Sequence, residues 1–216
     1  MTRLAAVEAG ARAHALAILG GLHATAAEPL PSGAATLLLL GPGPDFWPHL
    51  QRQPEWQDGR PDPIDRWSRR AIGNLACDLG AKALFPFGGP PHRPFYTWAL
   101  RSGHCFASPV RLLVHAEQGL LVSFRGALAL REMLPLPPLP AHPCESCASR
   151  PCLSACPPAA LTAGGYEVAA CHDFLTTDAG IGCMTQGCAV RRACPLSQAH
   201  ARMPGHSAYH MRQFHP

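Results

Sequence analysis

A chain of 216 residues, 47% of them hydrophobic, is long enough to close one ordinary domain and a small second one around real cores. Charged residues make up 15%, the formal charge is +4, and of the eighteen basic residues only Lys82 is lysine, so no basic block marks a nucleic-acid surface. The longest purely aliphatic run, Leu37 to Leu40, is far short of the ~20 residues that cross a bilayer, so no membrane span is expected.

The N-terminal stretch MTRLAAVEAGARAHALAILGGLHATAA has small and apolar residues and an A-x-A-like site at Ala24 to Ala26, the marks of a secretory signal. Glu8, Arg12 and His14 interrupt its apolar region, whereas Leu4, Val7, Ala11, Ile18 and Leu22 fall at helical spacing. The expectation is an amphipathic helix packed on the domain, in a cytoplasmic protein.

ATLLLLG then reads as a buried strand ended by GPGP. The segment from Asp62 to Ala83 predicts the clearest helix, with Asp62 as N-cap, Pro63 at the first helical position, and Ile64, Trp67, Ala71, Leu75 and Leu79 along one face. ALFPF suggests a strand closing at GGPP, and PFYTWALRSG a short helix. VRLLVH and LLVSFRGALAL suggest two strands around a turn at Glu117 to Gly119. Strands and helices interleave, which predicts an α/β or α+β layer with helices covering the sheet, in a first domain over residues 1–134. FPFGGPPHRPF is a loop shaped by Gly and Pro, flanked by three aromatics, and its backbone can approach a flat ligand closely.

PLPPLPAHP places five prolines in nine residues and predicts an extended connector over 135–143. Beyond it, residues 144–216 hold eight of the ten cysteines. Cys144, Cys147, Cys152 and Cys156 are spaced C-x2-C-x4-C-x3-C before Pro157. Cys171, Cys183, Cys188 and Cys194 are spaced more loosely before Pro195. Four thiolates can hold one zinc, but structural zinc sites usually come as two separated C-x2-C pairs. Crowding four cysteines into thirteen residues suits a cluster whose four irons each take one thiolate at a separate corner. Disulfides would suggest secretion, which the N-terminus does not support.

Both sets end in Cys-Pro, as in two-cluster ferredoxins, where the last cysteine of a run reaches over to the other cluster. The inferred wiring gives one [4Fe-4S] cluster Cys144, Cys147, Cys152 and Cys194, and the other Cys171, Cys183, Cys188 and Cys156. Arg191 and Arg192, between two ligands, are placed to offset cluster charge. Cys77 and Cys105 read as small buried hydrophobes rather than ligands. His172, beside a ligand, is a candidate hydrogen-bond donor to cluster sulfur. His200, His206, His210 and His215 read as part of a terminal segment packed on the cluster domain, with a metal-binding tail as the alternative.

The stretch CESCASRPCLSACPPAAL, with CHDFLTTD from Cys171 and the Gly182-Cys183 pair, resembles the cluster domain of epoxyqueuosine reductases and reductive dehalogenases. LLLLGPGPDFWPHL, DPIDRWSRRAIGNL, PPHRP and VHAEQGLLVSFRGALALREMLPLPP resemble cobalamin-processing proteins of the decyanase/dealkylase type. The resemblance implies a flavin-reductase/nitroreductase-like first domain followed by a small bacterial-ferredoxin-like domain carrying two [4Fe-4S] clusters. It also implies that a cobalamin (corrinoid) or a flavin is the organic cofactor, that His92 borders it, and that Arg125 holds an anionic group or thiol cofactor. Taken from the residues alone, His92 reads as a turn residue in a Gly/Pro loop and Arg125 as a strand arginine paired to a carboxylate.

Three functions therefore stand. The first is a reductase passing single electrons through the clusters to a corrinoid or flavin. The second is a ferredoxin-like carrier that docks a redox partner protein or reductase and binds no organic cofactor. The third is a structural zinc protein.

Overall fold

The computed structural model describes residues 3–26 and 30–216 and mixes helices with antiparallel strands. In chain order the first elements are α1 (Arg3–Ala13), β1 (Leu16–His23), β2 (Thr36–Pro42), α2 (Phe46–Gln51), α3 (Pro54–Gln57), α4 (Pro63–Asp78), β3 (Lys82–Leu84) and α5 (Phe95–Arg101). Then come β4 (Cys105–Ala107), β5 (Leu113–His115), β6 (Gly126–Leu130), β7 (Leu161–Thr162) and β8 (Gly165–Tyr166). The chain closes with α6 (Val168–Leu175), α7 (Ile181–Gln186), α8 (Ala189–Ala193), α9 (Pro195–His200) and α10 (Pro204–Phe214). Two compact units result, Met1–His104 with Ser123–Leu139, and Cys105–Val122 with Pro140–Pro216.

The first unit is built on a four-stranded antiparallel sheet in the order β1-β2-β6-β3. Successive strand residues face opposite sides, so the complete burial of Leu37, Leu38, Leu39 and Leu40 means that β2 is covered on both. Helix α4 buries Ile64, Trp67, Ala71 and Leu75 as its spacing predicts, and Leu79 is buried just beyond its end. Its Ile72 lies where a side chain on Gly126 would stand, 2.8 Å from Cδ1, so the glycine lets helix and sheet approach closely. Pro63 opens α4, but Asp62 adopts left-handed angles (φ 54°, ψ 46°) and its carboxylate makes no capping bond.

The N-terminal helix is shorter than its apolar spacing suggests. Leu4, Val7 and Ala11 belong to α1, but the chain reverses at Ala15 (φ 53°) and Ile18 and Leu22 lie on β1, paired with β2. Phe95 and Trp98 of α5 are buried packing residues with ring centroids 5.1 Å apart.

The second unit combines the β4–β5 hairpin, the short β7–β8 hairpin and helices α6 to α10. The expected turn at Glu117–Gly119 is present, closed by reciprocal backbone bonds of 3.0 Å between His115 and Gly119. The strands around it do not pair with each other, because β5 pairs with β4 while β6 joins the sheet of the first unit. Residues 105–122, expected in the first domain, thus belong with the cysteine-rich unit. Leu120 explains why: its N–H donates to Ser197 Oγ (2.9 Å) and its carbonyl accepts from Arg191 (2.7 Å). Arg202 donates likewise to the Leu121 carbonyl (3.0 Å). Residues 133–142 have no helix or strand, as their four prolines dictate.

Candidate metal centre

Local structure delivers the cysteines in a fixed order. Cys144 and Cys147 lie in the loop after Pro143, Cys152 in the short 3-10 turn Pro151–Leu153, and Cys156 in the loop beyond it. Cys171 and Cys183 are on α6 and α7. Cys188 immediately precedes α8, and Cys194 joins α8 to α9, where Pro195 occupies the first helical position.

The cysteines group by space rather than by sequence. A cavity of about 440 Å³ is walled by Cys144, Cys147, Cys152 and Cys194, together with Ser108 and Leu120. Cys156, only four residues from Cys152, is not in its wall. Burial first, and then Cys152, Cys194 and Cys147 in turn, push the Cys144 thiol up. Burial, Cys194 and Cys147 do the same to Cys152. Cys171 is raised by burial and by Cys188, Cys156 and Cys183, against a hydrogen bond with Tyr166 that opposes the rise.

Cys194 thus lies with Cys144, Cys147 and Cys152 around the cavity, while Cys156, Cys183 and Cys188 lie within electrostatic reach of Cys171, two sets of neighbouring thiols. Cys152 and Cys194 are buried in the cluster formed by Val110, Val114, Leu120, Leu161 and Val190, against which Cys156 and Cys188 also pack. The two sets therefore abut.

Crowded, half-buried thiols that raise one another hold their protons until a cation takes up the charge, the electrostatic condition of a thiolate metal site. Arg150 offsets this at Cys144 and Cys152, and Arg191 faces Cys188 and Tyr166. Among the described residues, no three or more His, Cys, Asp or Glu side chains converge tightly enough to hold one metal ion. Zinc, with Zn–S bonds of about 2.3 Å, draws its ligands to a point, whereas an iron–sulfur cluster takes each thiolate at a separate iron. Four thiols around the 440 Å³ space are the donor set that a cluster of four irons takes, one thiolate per iron.

A further feature fits it. Ser108 Oγ is buried and has no hydrogen-bond partner among the described residues, although Ser108 lines the same cavity. An orphaned hydroxyl costs stability unless something accepts its proton, and cluster sulfur is such an acceptor.

The remaining expected residues separate. Arg192 donates to the Gly187 carbonyl at 2.9 Å. His172 Nδ1 faces His215 Nδ1 at 2.7 Å, and Phe214 lies over the His172 ring with centroids 4.6 Å apart, so the C-terminal segment packs on this unit. His206 and His210 are also paired, at 3.2 Å. Cys105 is buried, its thiol pushed up to about 12 by burial. Cys77, by contrast, is exposed: it lies beside Ala76 but off the apolar face of α4.

His92 is exposed and lines a basin of about 310 Å³ with Arg69, Lys82 and Arg93. Arg125 is not in that wall. Its guanidinium stands 3.6 Å from Asp65 and its backbone N–H donates to the Leu40 carbonyl at 2.8 Å, so the two residues are not brought to one cavity.

The spacing of the cysteines makes all eight visible in sequence. Ser108, Gly119 and Tyr166 carry no such signal, since each reaches the site through tertiary contacts. No protein-family model, no curated protein and no solved structure matches the chain.

Proposed function

We propose that this chain is an iron–sulfur redox protein that moves single electrons through two [4Fe-4S] clusters. The observation that carries the reading is the interleaving of the cysteines: Cys194 stands with Cys144, Cys147 and Cys152, while Cys156 stands with Cys171, Cys183 and Cys188. Four ligands per set, buried walls and an adjacent arginine are what an anionic cluster requires. When bound, each cluster supplies a one-electron couple.

The protein's own part is to hold and insulate. Val110, Val114, Leu120, Leu161 and Val190 keep water from Cys152 and Cys194. Arg150 and Arg191 balance charge. Because both sets border one apolar cluster, an electron delivered to one passes to the other without crossing solvent.

On the enzyme reading the acceptor is a corrinoid or flavin held by the first unit, which makes the chain a reductase. The carrier reading has its own support in Tyr166, Val168 and Ile181, which are 40%, 44% and 56% exposed on elements that bear Cys171 and Cys183 or precede them. Large apolar side chains left in water beside redox ligands suit brief docking of a partner protein.

Anaerobic purification with iron, acid-labile sulfide, zinc, corrinoid and flavin quantified together tests both readings. Iron and sulfide in equal amounts, at about eight per chain, support the clusters. A co-purifying corrinoid or flavin selects the reductase, and its absence at full cluster occupancy selects the carrier. Zinc without sulfide rejects both.

A further inference from the structure

The basin beside His92 has a strongly cationic wall. Its walls come from α4, the edge strand β3 and the Gly/Pro loop that follows, and they contribute Arg69, Lys82, His92 and Arg93. Among the described residues, no carboxylate lines it. Three permanent cations and a histidine around 310 Å³ focus a positive potential into one concave space.

Arg69 is held in place by aromatic rings. Its guanidinium lies over Phe85 and Phe87, 5.5 Å and 5.1 Å from the ring centroids, and those rings are 5.4 Å apart. On the remaining side it meets Gly88, whose φ of 106° suits glycine and where any side chain would collide with Nη2. Asp65, one turn earlier on α4, is within electrostatic reach of Arg69 but stands against Arg125 at 3.6 Å. Stacking on rings orients a guanidinium while leaving its N–H fork for an incoming anion.

We infer that this basin binds a phosphate group, either free or as the monoester of a small polar molecule. A phosphate dianion takes bidentate hydrogen bonds from Arg69 and is neutralised by Lys82 and Arg93, whereas a single carboxylate would leave most of the positive charge unmatched. A volume of about 310 Å³ is at the small end of small-molecule sites and has room for one such group with a short organic portion. An extended polyanion needs a long basic track, which the scattered arginines do not provide. The site lies wholly in the first unit and does not rest on the reading of the cysteines.

The test is calorimetric titration of the full-length, as-isolated protein at low ionic strength with inorganic phosphate, ribose 5-phosphate and ribose. Saturable one-site binding of either phosphate, and none of ribose, is expected. Stronger binding of ribose 5-phosphate assigns a monoester, and equal binding assigns free phosphate. Arg69→Gln should weaken binding at least tenfold. Because Arg69 also packs on two rings, the double variant Lys82→Gln/Arg93→Gln, altered only at exposed side chains, provides the same readout in a protein whose thermal unfolding is unchanged. Absence of saturable phosphate binding, ribose binding as well as its phosphate, or undiminished affinity in the double variant would overturn the inference.

Discussion

Gly119 stands against Cys194: a Cβ built on the glycine would lie 3.0 Å from the cysteine sulfur and 2.5 Å from the Ser197 nitrogen. The turn that makes this approach possible has φ of 60° at Gly119 and is fixed by His115, whose Nδ1 accepts from the N–H groups of Glu117 and Gln118 at 3.1 Å and 3.2 Å. A hairpin before the Pro-rich connector is therefore part of the wall around the first cysteine set.

Gly119→Ala should thus damage a metal site from seventy-five residues away. The left-handed backbone costs an alanine roughly 1–2 kcal/mol, and the methyl group must also displace Cys194 or Ser197. Iron content is expected to fall by about half, with the loss confined to the set containing Cys194. Full iron content with unchanged spectra would show that the turn does not support the site.

Ser108→Ala removes the buried hydroxyl that has no partner among the described residues. A hydrogen bond to cluster sulfur stabilises the more negative, reduced state, so its loss should lower the reduction potential of the first-set cluster and leave the other unchanged. Voltammetry resolves the two waves. Two unshifted waves would mean that the hydroxyl serves neither cluster.

The first unit should be acid-sensitive near neutrality. Burial lowers the pKa of His14, with Arg70 reinforcing and Asp78 opposing the shift. It lowers that of His49 too, aided by His14, Arg52 and Arg70. The unfolded chain then binds protons first as pH falls below about 6.5, so stability is intact above that value and is lost as pH drops through the lowered folded values. Both groups remain partly solvated, so the effect is under about 1 kcal/mol. His14→Asn/His49→Gln should flatten the dependence of the unfolding midpoint on pH between 7.5 and 5.5. An equally steep profile in the double variant would assign the sensitivity elsewhere.

Legibility in the sequence tracks how local each determinant is. Four leucines in a row gave β2 away, and the spacing from Ile64 to Leu79 marked the face of α4. The eight cysteines were legible from spacing alone, and the Cys-Pro ends of both runs are the sequence basis of the exchange proposed between them. The break between α1 and β1 left none: Ile18 and Leu22 continue the helical spacing of Leu4, Val7 and Ala11, and only the pairing with β2 makes them a strand. Residues 105–122 were equally opaque, since their placement depends on bonds from Leu120 and Leu121 to side chains more than seventy positions away. Ser108 shows the same limit, as a serine becomes notable only when its hydroxyl is found buried and unpartnered.

The interleaving is tested most directly by EPR of the reduced Cys156→Ala variant, set beside Cys144→Ala and Cys171→Ala as references for damage to each set. The spectrum of Cys156→Ala is predicted to match that of Cys171→Ala, with the signal of the Cys144, Cys147, Cys152 and Cys194 set retained. A match to Cys144→Ala instead would contradict the exchange of ligands between the two runs.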